Sequence, residues 1–106
     1  MPDYHRKAAY TELYDQVLAI LCRHDPVGVS DSNEESAEEY APEVGTILSR
    51  LPQHGSVEEF RRIIHEEFVQ WFSPQTAGPE TSYQAIAYEV WAAWQRYQSA
   101  AQREAR

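Results

Sequence analysis

Seven carboxylates and not one Lys or Arg lie between Arg23 and Arg50: Asp25, Asp31, Glu34, Glu35, Glu38, Glu39 and Glu43. Carboxylates at this density can ligate a hard cation, act as a general acid and base, or present negative charge to a basic partner. The cation pattern starts correctly, since Asp31-x-Asn33-x-Glu35 places oxygen donors at positions one, three and five of an EF-hand loop. It then breaks off, with Ser36 where the loop needs Gly and Pro42 where it needs a bidentate Glu. What remains of the cation reading is a non-standard site using Asp25, Asp31 and Glu35 with His24. Acid catalysis needs a carboxyl whose pKa is raised by burial, and this polar stretch reads as exposed. Display of charge to a basic protein surface is the chemistry that survives, because a single-sign patch raises association rate and selectivity.

The other chemistry-bearing residues are scattered. His65-Glu66-Glu67-Phe68-Val69 has the first two letters of a zinc-protease helix, but Val69 stands at the second His position. His5, His24 and His54 form no pair with structural zinc spacing. Cys22 is the only cysteine and sits inside an apolar helical run, where a thiol packs as a small hydrophobe. No Gly-x-Ser-x-Gly elbow and no Gly-rich phosphate loop occur among the four glycines. No enzyme and no cofactor are expected.

Aromatic residues offer a second kind of contact. With Tyr83 at zero and 100° per residue, Ile86, Val90, Trp94 and Tyr97 fall within about 60° of one line. Trp91 lies near 80° and Tyr88 near 140°, on the flank of that stripe. Both flank residues are expected under a neighbouring helix; left exposed, they would be anchors for a protein partner.

Four helices are needed to position these groups. Tyr10, Leu13, Tyr14, Val17, Leu18 and Leu21 recur at spacings of three and four, which predicts a helix from about Pro2–Tyr4 to Cys22–Arg23, with His24 in its last turn. Asp25-Pro26-Val27-Gly28 suits a type I turn, and Pro26 pushes Asp25 out of helical angles. Pro42 is placed in the first turn of a short second helix, with Val44, Ile47, Leu48 and Leu51 as its stripe and Pro52 as its stop. On that placement Glu39 and Glu43, and with them Glu38, favour the positive end of the second helix, while Asp31, Glu34 and Glu35 lie further out. Ser56 and Glu59 form a capping box ahead of a third helix whose apolar face is Val57, Phe60, Ile64, Phe68, Trp71 and Phe72. A fourth helix follows the Ala77-Gly78-Pro79 loop and runs from Tyr83 to Tyr97, and residues 98–106 read as a frayed tail. The expected fold is all-α: a compact four-helix bundle, one domain over residues 1–106, with a long acidic connection at residues 24–41.

Composition narrows the function classes. Seventeen acids against nine bases give a net charge of −8, which disfavours phosphate backbones and anionic membranes, so neither direct nucleic-acid nor membrane binding is expected. At 106 residues, surface scaling leaves roughly 6,000 Å² exposed after folding, enough for a core without metal or disulfide support. The first residues carry no apolar signal core and no run of eighteen apolar residues follows, so a cytoplasmic location is expected.

Three segments, Leu13-Tyr14-Asp15-Gln16-Val17-Leu18, His24-Asp25-Pro26-Val27-Gly28 and Glu39-Tyr40-Ala41-Pro42-Glu43-Val44, resemble a group of small bacterial all-helical proteins of unknown function. In that group an Asp-Pro-x-Gly turn precedes a Glu-Tyr-x-Pro-Glu-Val segment; the likeness covers the first half of the chain. It implies a helical fold and a bacterial origin, and it transfers no catalytic residue. Some small acidic bacterial proteins of this size and charge are immunity proteins that neutralise a toxin. The turn would fix one end of the acidic stretch, and Tyr40, folded back beside Pro42, the other.

The function expected from these residues is a non-catalytic interaction protein that binds a basic protein partner, as an inhibitor or immunity protein would bind a toxin. Its contact residues are expected to be Asp31, Glu34, Glu35, Glu38, Tyr88 and Trp91, with no metal. The alternatives are a cation- or small-ligand-binding helical protein and an acidic mimic of nucleic acid.

Overall fold

Pro2 opens the first helix and a left-handed residue closes it. A computed structural model describes the backbone of residues 2–26 and 33–104 and the side chains of residues 9–26 and 40–100. Helix α1 spans Pro2–His24, and the amide of Asp25, at φ 45°, donates back to the Leu21 carbonyl at 2.8 Å. Asp and Asn tolerate this conformation better than other non-glycine residues, and Pro26 forbids a further helical turn.

Helix α2 covers Asn33–Arg50 and differs most from the sequence expectation. Pro42 lies inside it, not in its first turn. An interior proline forfeits one backbone hydrogen bond and costs about 3 kcal/mol. Burial of Tyr40, on the N-terminal side of Pro42, together with Val44, Ile47 and Leu48 on the other side, outweighs that cost at roughly 1.5–3 kcal/mol for each aliphatic side chain. One continuous helix is what lets residues on both sides of the proline share a face. Pro42 itself is exposed, on the side away from the core.

Helix α3 spans Val57–Phe72 and starts on the expected capping box: Ser56 Oγ accepts from the Glu59 amide and Glu59 Oε1 from the Ser56 amide, both at 3.2 Å. The tight bend before it needs glycine, since a Cβ on Gly55 would stand 2.5 Å from Pro52 Cγ and 2.8 Å from Phe60 Cε1. The loop after α3 is itself helical: a single turn, α4 (Pro74–Ala77), capped by Ser73, then a 3-10 turn at Glu80–Tyr83. Gly78, at φ 78°, separates the two turns. Helix α5 occupies Gln84–Glu104, so helical structure continues well past Tyr97 into the segment expected to fray. Gln98 gives one reason, since its Nε2 donates to the Gln53 carbonyl at 2.8 Å.

Among the described residues the secondary structure is five α-helices and the 3-10 turn, with no strand. Helices α1 and α3 each pack against both α2 and α5. Leu13, Val17, Ile20 and Leu21 of α1 meet Val44 and Ile47 of α2, Phe60, Ile64 and Phe68 of α3, and Ile86, Ala87 and Val90 of α5 in one core. Tyr40, Phe68, Phe72 and Tyr83 form a connected set of rings, with centroids 5.5 to 6.4 Å apart. Trp71, on the same stripe of α3, is 48% exposed because the stripe outruns the core at the helix end. Two clamps fasten α3: Arg50 of α2 forks onto Glu66 (2.7 Å) and Glu67 (2.9 Å), and Arg61 joins Glu80 (3.0 Å) and Gln84 (2.6 Å). No described helix is long and apolar enough to cross a membrane.

Candidate functional site

The acidic stretch is closed at its base by a hydrogen bond between its two ends. Tyr40 is 0% exposed, and its hydroxyl donates to Asp25 Oδ1 at 2.6 Å. Beside it, the Tyr14 hydroxyl donates to the Ala41 carbonyl at 2.7 Å. Each of the three sequence segments singled out above thus contributes to one junction: Tyr14 from the first, Asp25 from the second, Tyr40 and Ala41 from the third. Residues 26–39 form an excursion between fixed points, and its C-terminal part is already helix.

Helical register decides where the acidic positions lie. Taking Tyr40 as zero, the buried residues Val44, Ile47 and Leu48 of α2 stay within about 80° of it. Glu34, Glu38, Glu35 and Glu39 fall between about 120° and 260°, on the opposite side of the helix. They occupy one outward stripe, in which Glu34/Glu38 and Glu35/Glu39 are like-charged pairs four residues apart. Such pairs each cost a few tenths of a kcal/mol, so folding alone does not favour them. With α2 beginning at Asn33, Glu34 and Glu35 are the acids in its first turn, where the helix dipole favours negative charge. Glu39 and Glu43, expected near the helix start, are interior, and Glu43 is only 3% exposed. Asp31 lies outside the described residues, as do the side chains of Glu34, Glu35 and Glu38.

The two aromatic positions part company. Trp91 is half-buried, and its indole N–H donates to the Gly55 carbonyl at 3.1 Å, as Trp94 does to Pro52 at 3.1 Å. Both indoles therefore tie α5 to the bend between α2 and α3. Tyr88 is 59% exposed and leans on Trp91, with ring centroids 6.1 Å apart.

Tyr88 also lines a groove of about 390 Å³ between α1 and α5, together with Gln16, Ala19, Ile20, Arg23, Glu89, Ala92 and Arg96. At one end Glu89 pairs with both Arg23 and His24 from the last turn of α1. Burial, and then the neighbouring Arg23, push the His24 pKa down, so the neutral ring is favoured and its Nε2–H donates to Glu89. Sequence reasoning missed this groove. Arg23 and Glu89 are 66 residues apart, and neither belongs to a local pattern.

The remaining titratable groups have structural partners. His65 Nε2 donates to the Gly78 carbonyl at 2.8 Å, and its ring meets Tyr83 edge-on at 5.4 Å. The Tyr83 hydroxyl, buried and donating to the Ala77 carbonyl at 2.7 Å, is pushed up to about 12 by burial. Burial, and then the charge of Asp25, also push the Cys22 thiol above its ordinary value, away from the reactive thiolate. Among the described residues no group of three or more His, Cys, Asp or Glu is placed to hold a metal ion. Comparison with protein-family models, with curated proteins and with solved structures finds no match to this chain.

Proposed function

We propose that this chain is a non-catalytic interaction protein that captures a basic protein partner through the outward acidic stripe of α2, in the manner of an inhibitor or an immunity protein. The scaffold on this reading is a four-helix bundle that displays the stripe. The observation that carries the proposal is the separation of the two faces of α2. One face holds Tyr40, Val44, Ile47 and Leu48 in the core, and the other gathers Glu34, Glu35, Glu38 and Glu39, which repel one another and have no role in packing. Uncompensated charge on one side of a fastened helix is what electrostatic steering of a basic partner requires.

The Tyr40–Asp25 bond adds pre-organisation. A charged segment held at its base loses less conformational entropy on binding than a free loop would, at roughly 1–2 kcal/mol for each residue already ordered. Asp31 and Glu35 extend the proposed surface, and the exposed ring of Tyr88 is a separate contact residue.

Affinity capture from the native host at low and at high ionic strength, followed by mass spectrometry, tests the reading. A basic protein retained at low salt and released at high salt is the expected result. Recovery of acidic proteins alone, or retention indifferent to salt, would count against it.

A further inference from the structure

The groove between α1 and α5 has properties that the acidic stripe does not explain. Its rim is basic in a protein of net charge −8. Arg50 and Arg61 are engaged by carboxylates of neighbouring elements, whereas Arg96 is exposed and makes no ion pair among the described residues. Arg23, bound to Glu89, keeps its side chain 59% exposed at the other end. Beneath them the floor is Ala19, Ile20 and Ala92, short enough for another backbone to approach closely. The groove continues past Gln16 and Arg96 into a smaller hollow over Ala9, Ala93 and Ala100, so the trough follows the axes of the two helices. Tyr88 stands on its rim.

We propose that this trough is a second docking surface, one that takes an acidic amphipathic helix of a partner protein. A trough between two antiparallel helices with a small-residue floor fits a third helix laid along it. Arg96 is the site for one carboxylate. Arg23 sits opposite Glu89, seven residues or about 10.5 Å back along α5, so a second carboxylate two helical turns away on the occupant meets it. Alanine- or leucine-sized side chains between the two acids would fill the floor. Tyr88 and the two arginines are residue types that dominate binding energy at protein interfaces.

A second copy of this chain is the obvious rival occupant, since it carries an acidic helix. Two molecules of like net charge repel, however, and the outward stripe of α2 carries no apolar side chain to enter the floor. The occupant is therefore a different protein, and the docking does not depend on what binds the stripe.

The probe is a fluorescein-labelled helical peptide of Ala and Leu with two Glu residues seven positions apart; its twin carries Lys at both. Fluorescence anisotropy should show the Glu peptide binding the full-length protein, with affinity falling as salt rises. Arg96→Glu should weaken it at least tenfold and Tyr88→Ala severalfold, while Arg62→Glu, at an exposed position outside the groove, should leave it unchanged. Arg96→Gln, gentler on the fold, should give an intermediate loss. No binding at millimolar peptide, equal binding of the Lys twin, or an Arg96→Glu variant that binds like wild type would overturn the proposal. So would sedimentation showing a dimer that Arg96→Glu dissolves, since a second copy would then fill the trough.

Discussion

The hydroxyl of Tyr40 donates to the carboxylate of Asp25 across 2.6 Å, joining the end of α1 to the middle of α2 and closing the base of the acidic excursion. Asp25 is suited to this role because it is bent out of helical geometry at φ 45°, while Tyr40 is held by its ring in the core beside Phe68 and Phe72. The excursion between them is thereby attached at both ends.

Removing the Tyr40 hydroxyl should be costly without a cavity. Tyr40→Phe keeps the ring in place and deletes one hydrogen bond to a charged acceptor, so a loss of about 1.5–2 kcal/mol in chemical denaturation is expected. Asp25→Asn retains an acceptor and a residue tolerant of positive φ, and should lose less. Asp25→Ala should lose more, because it also places a Cβ-bearing residue without that tolerance in the left-handed region.

The Arg50 clamp predicts an asymmetry. Glu67 is 6% exposed and Glu66 faces solvent, yet both are bound by one guanidinium. Arg50→Ala strands the buried Glu67 carboxylate and should destabilise by about 2–3 kcal/mol, whereas Glu66→Ala should stay within the small range of surface ion pairs. The Arg50 hydrogen bond also holds the Glu66 carboxyl below its ordinary 4.5. Its contribution is therefore fully present above pH 4.5 and is lost only as acid brings the pH down through the lowered value. Urea melts at several pH values, in wild type and Arg50→Ala, would show it.

Tyr83 predicts the alkaline limit. Its pKa rises from 10.0 to about 12 because the buried phenolate is desolvated. The unfolded chain gives up this proton first, so the stability it contributes is complete below pH 10 and drains away as the pH rises toward 12. Absorbance titration at the tyrosinate band should show one late-titrating tyrosine that Tyr83→Phe removes.

Gly55→Ala tests the bend under α5. The added Cβ would stand 2.5 Å from the Pro52 ring, so Pro52 or Phe60 must move. A loss of about 1–3 kcal/mol in thermal or urea unfolding is expected. Movement of the Gly55 carbonyl would also disturb the Trp91 hydrogen bond, visible as a change in tryptophan fluorescence.

Local signals were legible in the sequence and long-range ones were not. Ser56 and Glu59 announced α3 because a capping box is complete within four residues. The α1 stripe was legible for the same reason: apolar spacing along one helix is a local property. Pro42 misled because the rule placing proline in a first turn is also local, whereas Tyr40 is pulled into helix by rings on α3. Trp71 carried the right spacing for core, but spacing says nothing of where the core ends. The junction of Tyr14, Asp25, Tyr40 and Ala41 lay in three segments that resembled a known group, and only the folded chain shows them in contact. The α1–α5 groove had no sequence signal, since its basic rim comes from single arginines on separate helices.

The central claim, that the outward stripe of α2 recognises a basic partner, is tested most directly by reversing Glu34, Glu35, Glu38 and Glu39 to Lys and measuring capture of the partner from host lysate beside wild type. The reversed protein should keep its helical circular dichroism and its cooperative melt, because none of the four positions lies on the core-facing side of α2. It should no longer retain the partner. A folded variant that captures the same protein as well as wild type does would contradict the account.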